Sequence, residues 1–148
     1  MKIETVKIGN VNIISYTEDG DRKILQSEEP ASPEFKESFE NLALDMKIAL
    51  ANQLNVATAL RDAFLEAHRM VATKVHFKYG EGEETPESYE VWGHHYISET
   101  NYDTDVHFKF KFGEENSPDK AALAVKAAGE AYAKGERAMG NLFKEEGK

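Results

Sequence analysis

The chain reads as an α+β domain, a single antiparallel sheet of about five strands with helices packed on one face, in the order β-β-(β)-α-α-β-β-β-α. Three observations predict it. Residues 73–79, 89–97 and 105–112 alternate strictly between apolar and polar side chains, the period of strands with one dry and one wet face. Two segments open on Ser-Pro-acid and continue with apolar residues at helical spacing. The strand-like and helix-like runs come in blocks, as they do when helices gather on one side of an antiparallel sheet.

Taken in order, residues 2–8 and 11–16 are β-prone runs around Gly9-Asn10, a dipeptide that tolerates the positive φ of a tight turn, and they predict a hairpin. Thr17-Glu18-Asp19-Gly20-Asp21 makes a polar turn, residues 22–26 a short third strand, and residues 27–32 a linker. At Ser32-Pro33-Glu34 a helix begins: Ser caps free N–H groups, Pro fits the first turn, and Glu complements the positive helix end. Phe35, Phe39, Leu42, Met46 and Ala49, with Leu50 beside them, lay an apolar stripe along it, and a break is expected near residues 52–55. A second helix over residues 56–70 carries Val56, Leu60, Phe64 and Ala67 on one side.

The three alternating strands follow, divided by the acidic loop at residues 80–86 and a polar turn at 98–104. Ser117-Pro118-Asp119 then repeats the helix start, and the last helix is expected to reach about Arg137 with Ala121, Val125, Ala128 and Tyr132 along its stripe. Gly129 and Gly135 each weaken such a helix by about 1 kcal/mol relative to Ala unless a close contact requires them. Residues 1–140 are expected to form one domain and residues 141–148 a flexible tail.

Composition narrows the function classes. No apolar run among the 148 residues approaches the roughly 20 needed to span a bilayer. The start Met1-Lys2-Ile3-Glu4 lacks a signal-peptide pattern, so no membrane and a cytoplasmic location are expected. Without cysteine there is no disulfide framework and no thiol nucleophile. The net charge of −9 argues against a general nucleic-acid binder and equally suits an acidic surface shown to a basic partner.

The alternating strands sort their residues onto two faces. Val75, Phe77, Tyr79, Tyr89, Val91, Ile97, Val106, Phe108, Phe110 and Phe112 form the core side. Lys74, His76, Lys78, Glu90, Trp92, His94, Tyr96, His107, Lys109 and Lys111 form the other side, unusually basic and aromatic for an acidic chain. Lys74, Lys78, Trp92, Tyr96, Lys109 and Lys111 are therefore the candidate binding residues: rings stack on bases at about 1–3 kcal/mol each and Lys meets phosphate. Plain wet surface or a dimer interface through Trp92 and Tyr96 are the alternatives.

His76, His94 and His107 share that face, one per strand, and with Asp105 they are weak candidates for holding zinc or another divalent metal. No H-x-x-x-H spacing, nucleophile elbow or phosphate-cradling loop is present, so no catalytic residue, cofactor or enzymatic activity is expected.

Past the last helix, Met139-Gly140-Asn141-Leu142-Phe143 places an apolar pair before a charged tail. It resembles the Gln-Leu-Ser/Asp-Leu-Phe peptide by which bacterial replication and repair proteins dock on the sliding clamp, with Leu142 and Phe143 matching and Met139 replacing Gln. Ser32-Pro33-Glu34-Phe35, together with the stretch from Ala131-Tyr132 through Arg137-Ala138 to Leu142-Phe143, resembles small uncharacterised proteins of bacteriophages and prophages. That resemblance implies a setting in phage DNA replication or recombination inside a bacterial host. The expectation is a non-enzymatic accessory protein that binds a partner there through Leu142 and Phe143, with weak single-strand binding on the sheet; the alternative for Leu142 and Phe143 is that they fold back onto the core as a helix-end anchor. The alternative is an acidic, nucleic-acid-mimicking inhibitor of a host defence nuclease, comparable to anti-CRISPR proteins, with the glutamates of residues 81–87 as its signature.

Overall fold

A computed structural model describes residues 1–97 and 99–137. Among these, the elements are β1 (Lys2–Lys7), β2 (Asn12–Glu18), β3 (Asp21–Ser27), α1 (Pro33–Gln53), α2 (Thr58–Ala67), β4 (His68–Tyr79), β5 (Pro86–Ile97), β6 (Tyr102–Lys111) and α3 (Asp119–Ala133). The strands make one open antiparallel sheet of six, ordered β3-β2-β1-β4-β5-β6. The α+β class holds, and the third strand is a full edge strand rather than an optional one. No helix among the described residues is long and apolar enough to cross a membrane.

The tight turn falls elsewhere than Gly9-Asn10. It lies between β2 and β3, where Asp19 (φ 52°) and Gly20 (φ 81°) both take the left-handed conformation of a two-residue hairpin turn. The β1–β2 connection is wider, because Asn12 turns inward and its Oδ1 accepts the Gly9 N–H at 3.1 Å. The Asn12 side chain is buried but satisfied: its Nδ2 donates to the Glu29 carbonyl (3.0 Å) and to the Tyr132 hydroxyl (3.2 Å).

Helix α1 starts as expected, with the Ser32 hydroxyl accepting the Phe35 N–H at 3.2 Å and Pro33 in the first turn. Phe35, Phe39, Leu42 and Met46 are all buried, and each is worth about 1.5–3 kcal/mol of apolar burial. They meet Ile3, Val6 and Ile14 of the first hairpin, Val75 and Phe77 of β4, Tyr89 and Val91 of β5, and Val125 and Tyr132 of α3 in one core. Helices α1 and α3 lie side by side on this face, and no helix among the described residues covers the other, open face of the sheet.

Two helix ends depart from the sequence reading. Ser117 does not cap α3; its hydroxyl donates to the Glu114 carbonyl. The start is fixed instead by Asp119, whose carboxylate accepts the Gly113 N–H (2.8 Å) and the Tyr89 hydroxyl (2.9 Å). At the other end α3 stops at Ala133 rather than near Arg137. Gly135, at φ 105°, lets its own N–H bond the Tyr132 carbonyl and the Glu136 N–H bond the Ala131 carbonyl, a Schellman closure. Gly129 is required by contact, because a Cβ there would sit 2.5 Å from Val6 Cγ2.

The second helix is shorter than expected. It spans Thr58–Ala67, buries no residue fully, and leaves Leu60 exposed, so Val56, Leu60, Phe64 and Ala67 do not form a buried stripe. Residues 68–70 belong to β4, which follows the helix with no loop and pairs His68 with Ile97. Cross-strand pairing with β5 outweighs continuation of a helix that has little apolar surface to bury.

Candidate functional site

Residues directly opposite one another on neighbouring strands share a face, so the register assembles the open face row by row. Lys7, Lys74, Trp92 and His107 make one row across β1, β4, β5 and β6. Thr5, His76, Glu90 and Lys109 make the next, followed by Lys78, Ser88 and Lys111. On the other side lie Val71, His94 and Asp105, then Arg69, Tyr96 and Asp103. The six sequence-predicted residues of the sheet, Lys74, Lys78, Trp92, Tyr96, Lys109 and Lys111, are therefore all on one surface.

A β-bulge shapes that surface. The register of β4 against β5 slips between Ala72 and Lys74, and the Thr73 hydroxyl donates to the Trp92 carbonyl at 3.3 Å. The extra residue reverses the parity of everything before it. Ala72 and Met70 therefore turn toward the helices and Arg69 and Val71 toward the open face. Gly93, opposite Ala72, is the residue that admits the bulge: a Cβ on it would lie 1.8 Å from the Val71 carbonyl oxygen.

Trp92 is held between two side chains. Lys74 Nζ sits 4.6 Å from its ring centroid, and the His107 imidazole stacks on it at 4.5 Å and an interplanar angle of 12°. Both faces of the indole are occupied, so a base stacks on Trp92 only by displacing Lys74 or His107. Glu90 lies beyond, 3.4 Å from His107 Nε2 and 3.7 Å from Lys109 Nζ.

The rows carry the cations Lys7, Arg69, Lys74, Lys78, Lys109 and Lys111 against the acids Glu90, Asp103 and Asp105, in a chain of net charge −9. Lys7 and Arg69 were not among the expected site residues. Lys7 joins through the non-sequential pairing of β1 with β4, and Arg69 through the bulge. At the rim, burial raises the Glu4 carboxyl, but hydrogen bonds from Arg22 and Thr17 outweigh it and hold the group below its ordinary range.

No protein-family model, curated protein or solved structure matches the chain. What the face does must be argued from its own chemistry.

The three histidines are not brought together. The His76 Nδ1 bonds the Thr5 hydroxyl at 3.0 Å, His94 faces Asp105 (3.2 Å) and Asp103 (3.7 Å), and His107 stacks on Trp92 beside Glu90. Each occupies a different row, and no cluster of three or more metal-ligating side chains occurs among the described residues. The register that separates them was invisible in the sequence.

Sequence reasoning missed a histidine pair on the covered face. His68 Nδ1 and His95 Nε2 share a hydrogen bond of 2.8 Å, and Phe64 stacks on His68 at 4.0 Å. Burial, then the neighbouring His68, pushes the His95 imidazole below its ordinary pKa. A groove of about 440 Å³ lies nearby, lined by Ile8, Phe39, Ala43, Leu44 and Met70 among others, and includes none of the expected site residues. Leu142 and Phe143 lie outside the described residues.

Proposed function

We propose that this is a non-catalytic binding protein whose open sheet face takes up an extended anionic strand, single-stranded nucleic acid in a phage replication or recombination setting. The observation that carries the reading is the gathering of six cations, in an acidic protein, on the one sheet face that no helix among the described residues covers. Phosphate contacts supply the affinity, because the faces of Trp92 are already filled. Binding is then weakly selective for sequence and strongly dependent on salt. Six phosphate contacts correspond to a log–log salt slope of roughly −4 on a single strand.

Trp92 is the one tryptophan of the chain and reports directly on this face. Titrating oligothymidylate at low ionic strength, followed by Trp92 fluorescence and by anisotropy of the labelled strand, tests the reading. Saturable binding that the combined K74Q and K109Q changes weaken, with a shallower salt slope, supports it. No binding at low salt, where the phosphate contribution is strongest, removes it.

A second reading has its own observation. Glu81, Glu83 and Glu84 are exposed in the loop that links β4 to β5, Glu87 is exposed at the start of β5, and Glu90 interrupts the cations. These features suit an acidic inhibitor docking on the nucleic-acid site of a host defence nuclease. Salt-sensitive capture of a basic nuclease, without oligonucleotide binding, would favour it. Under either reading Leu142 and Phe143 are a proposed second anchor, with the sliding clamp as the partner for the first. Replacing both by Ala should abolish clamp capture and leave oligonucleotide binding unchanged.

A further inference from the structure

We propose that β6 is a self-docking edge: two copies of the chain pair their β6 strands antiparallel about a two-fold axis at His107, joining the two sheets into one. The first support is the orientation of free main-chain groups. Phe112 donates its N–H to the Glu87 carbonyl of the neighbouring β5 side at 3.2 Å. Antiparallel ladders alternate, so the even-numbered residues of β6 point their peptide groups at β5 and the odd-numbered ones point away. Lys111 agrees with this, since its N–H meets Glu114 Oε1 (3.1 Å) and its carbonyl accepts the Glu114 N–H (3.3 Å) outside the sheet. Glu114 thus closes that end, and the ladder on offer runs over Asp105, His107 and Lys109.

The second support is charge order. Along its open-face positions β6 reads Asp103, Asp105, His107, Lys109, Lys111. A two-fold centred on His107 sets Asp105 opposite Lys109 and Asp103 opposite Lys111, each twice. On the covered face it sets Val106 opposite Phe108, both half-buried at an edge where the helix layer thins to the end of α1. Moving the two-fold to residue 105 or 109 puts Asp105 against Asp105 or Lys109 against Lys109, and moving it to residue 106 or 108 keeps only two of the four Asp–Lys pairs. The outward groups that bond in the matched register are the odd-numbered ones; among the described residues the Asp105 carbonyl accepts only the Thr104 hydroxyl, at 3.5 Å. The opposite edge has no such symmetry: Asp21, Arg22 and Lys23 crowd one end of β3 and would face Ser27, Gln26 and Leu25. Asp105, with 92% of its side chain exposed, remains accessible to a partner although its Oδ1 lies 3.2 Å from His94 Nδ1. The acids used already belong to the open face, so its cationic excess per copy is unchanged.

Sedimentation velocity of the full chain across the micromolar range tests this. A dimer is expected, with association weakened by salt. D105K alone and K109D alone should each weaken it by about tenfold or more, because two attractive cross-strand pairs become repulsive. The combined D105K and K109D protein should recover the dimer, since Lys then faces Asp again in both pairs. Circular dichroism confirms that each variant is folded, and D105K, at an exposed side chain, leaves the monomer intact. A wild-type chain that stays monomeric, a D105K protein that dimerises as well as wild type, or a folded double variant that remains monomeric each overturns the proposal.

Discussion

Replacing Gly93 by Ala is the sharpest probe of the architecture beneath the open face. The added Cβ would lie 1.8 Å from the Val71 carbonyl oxygen, 2.9 Å from its carbon and 3.0 Å from Ala72 Cα. All three are main-chain atoms, so no side chain can swing aside. Real Cβ contacts stay beyond 3.0 Å, and β4 and β5 must therefore part by about 1 Å at the bulge. Parting them strains the pairing of Val71 with His94 and of Ala72 with Gly93, and loosens the Thr73 hydrogen bond to Trp92. Overpacking costs about 1–3 kcal/mol where side chains can adjust, and a compromised ladder bond adds about 1 kcal/mol. We expect a loss of about 3 kcal/mol, read as a lower urea midpoint with unchanged slope and a melting temperature lower by roughly 6–12 °C. Backbone conformation is not the cause, because Gly93 does not adopt positive φ. A G93A protein within about 0.5 kcal/mol of wild type, the range of neutral surface changes, would show that the bulge and the close approach are wrong.

Three further outcomes follow from the same geometry. Tyr132→Phe removes the hydroxyl that donates to the Glu29 carbonyl at 2.7 Å and accepts from buried Asn12, and should cost about 1–2 kcal/mol in chemical denaturation. Gly129→Ala should destabilise despite the better helix propensity of Ala, because the new methyl meets buried Val6 at 2.5 Å; trimming the neighbour in a G129A/V6A double variant should restore part of the loss. For His95, the folded imidazole holds its proton less tightly than the unfolded reference of 6.5, so the unfolded chain takes up protons first as pH falls. Its contribution to stability is complete above 6.5 and declines as pH drops below it, toward the depressed folded value. Melting curves across this range should be flatter in His95→Gln than in wild type.

The dry half of the fold was legible because burial imposes it residue by residue. Phe35, Phe39, Leu42 and Met46 had to share a stripe, and Val75, Phe77, Tyr89 and Val91 had to share a face, whatever the partners. The membership of the open face was legible on the same grounds, since it is the complement of the core. What neighbours what on that face was not. Row assignments depend on the register between strands, and β1 meets β4 across more than sixty intervening residues with no local signal. The helix starts show the same limit: Ser32 caps as its motif suggests, whereas the like motif at Ser117 yields to Asp119, recruited by Tyr89 from a distant strand.

The bulge at Thr73 explains the largest departures together. Strict alternation carried back from Val75 would send residue 71 to the core and residue 72 to solvent. One extra residue at the bulge reverses this, so Ala72 is buried and Val71 exposed. Met70 then lines the groove beside α1, and His68 meets His95 under Phe64, where a helical reading of residues 68–70 would have left it at a helix end. Arg69 passes to the open face beside Tyr96. A single glycine opposite the bulge permits all of it, which makes Gly93 the residue through which stability and the chemistry of the open face are coupled. Trp92 and His94 flank that glycine in β5, so a change that closes the bulge must also move the indole that Lys74 and His107 enclose.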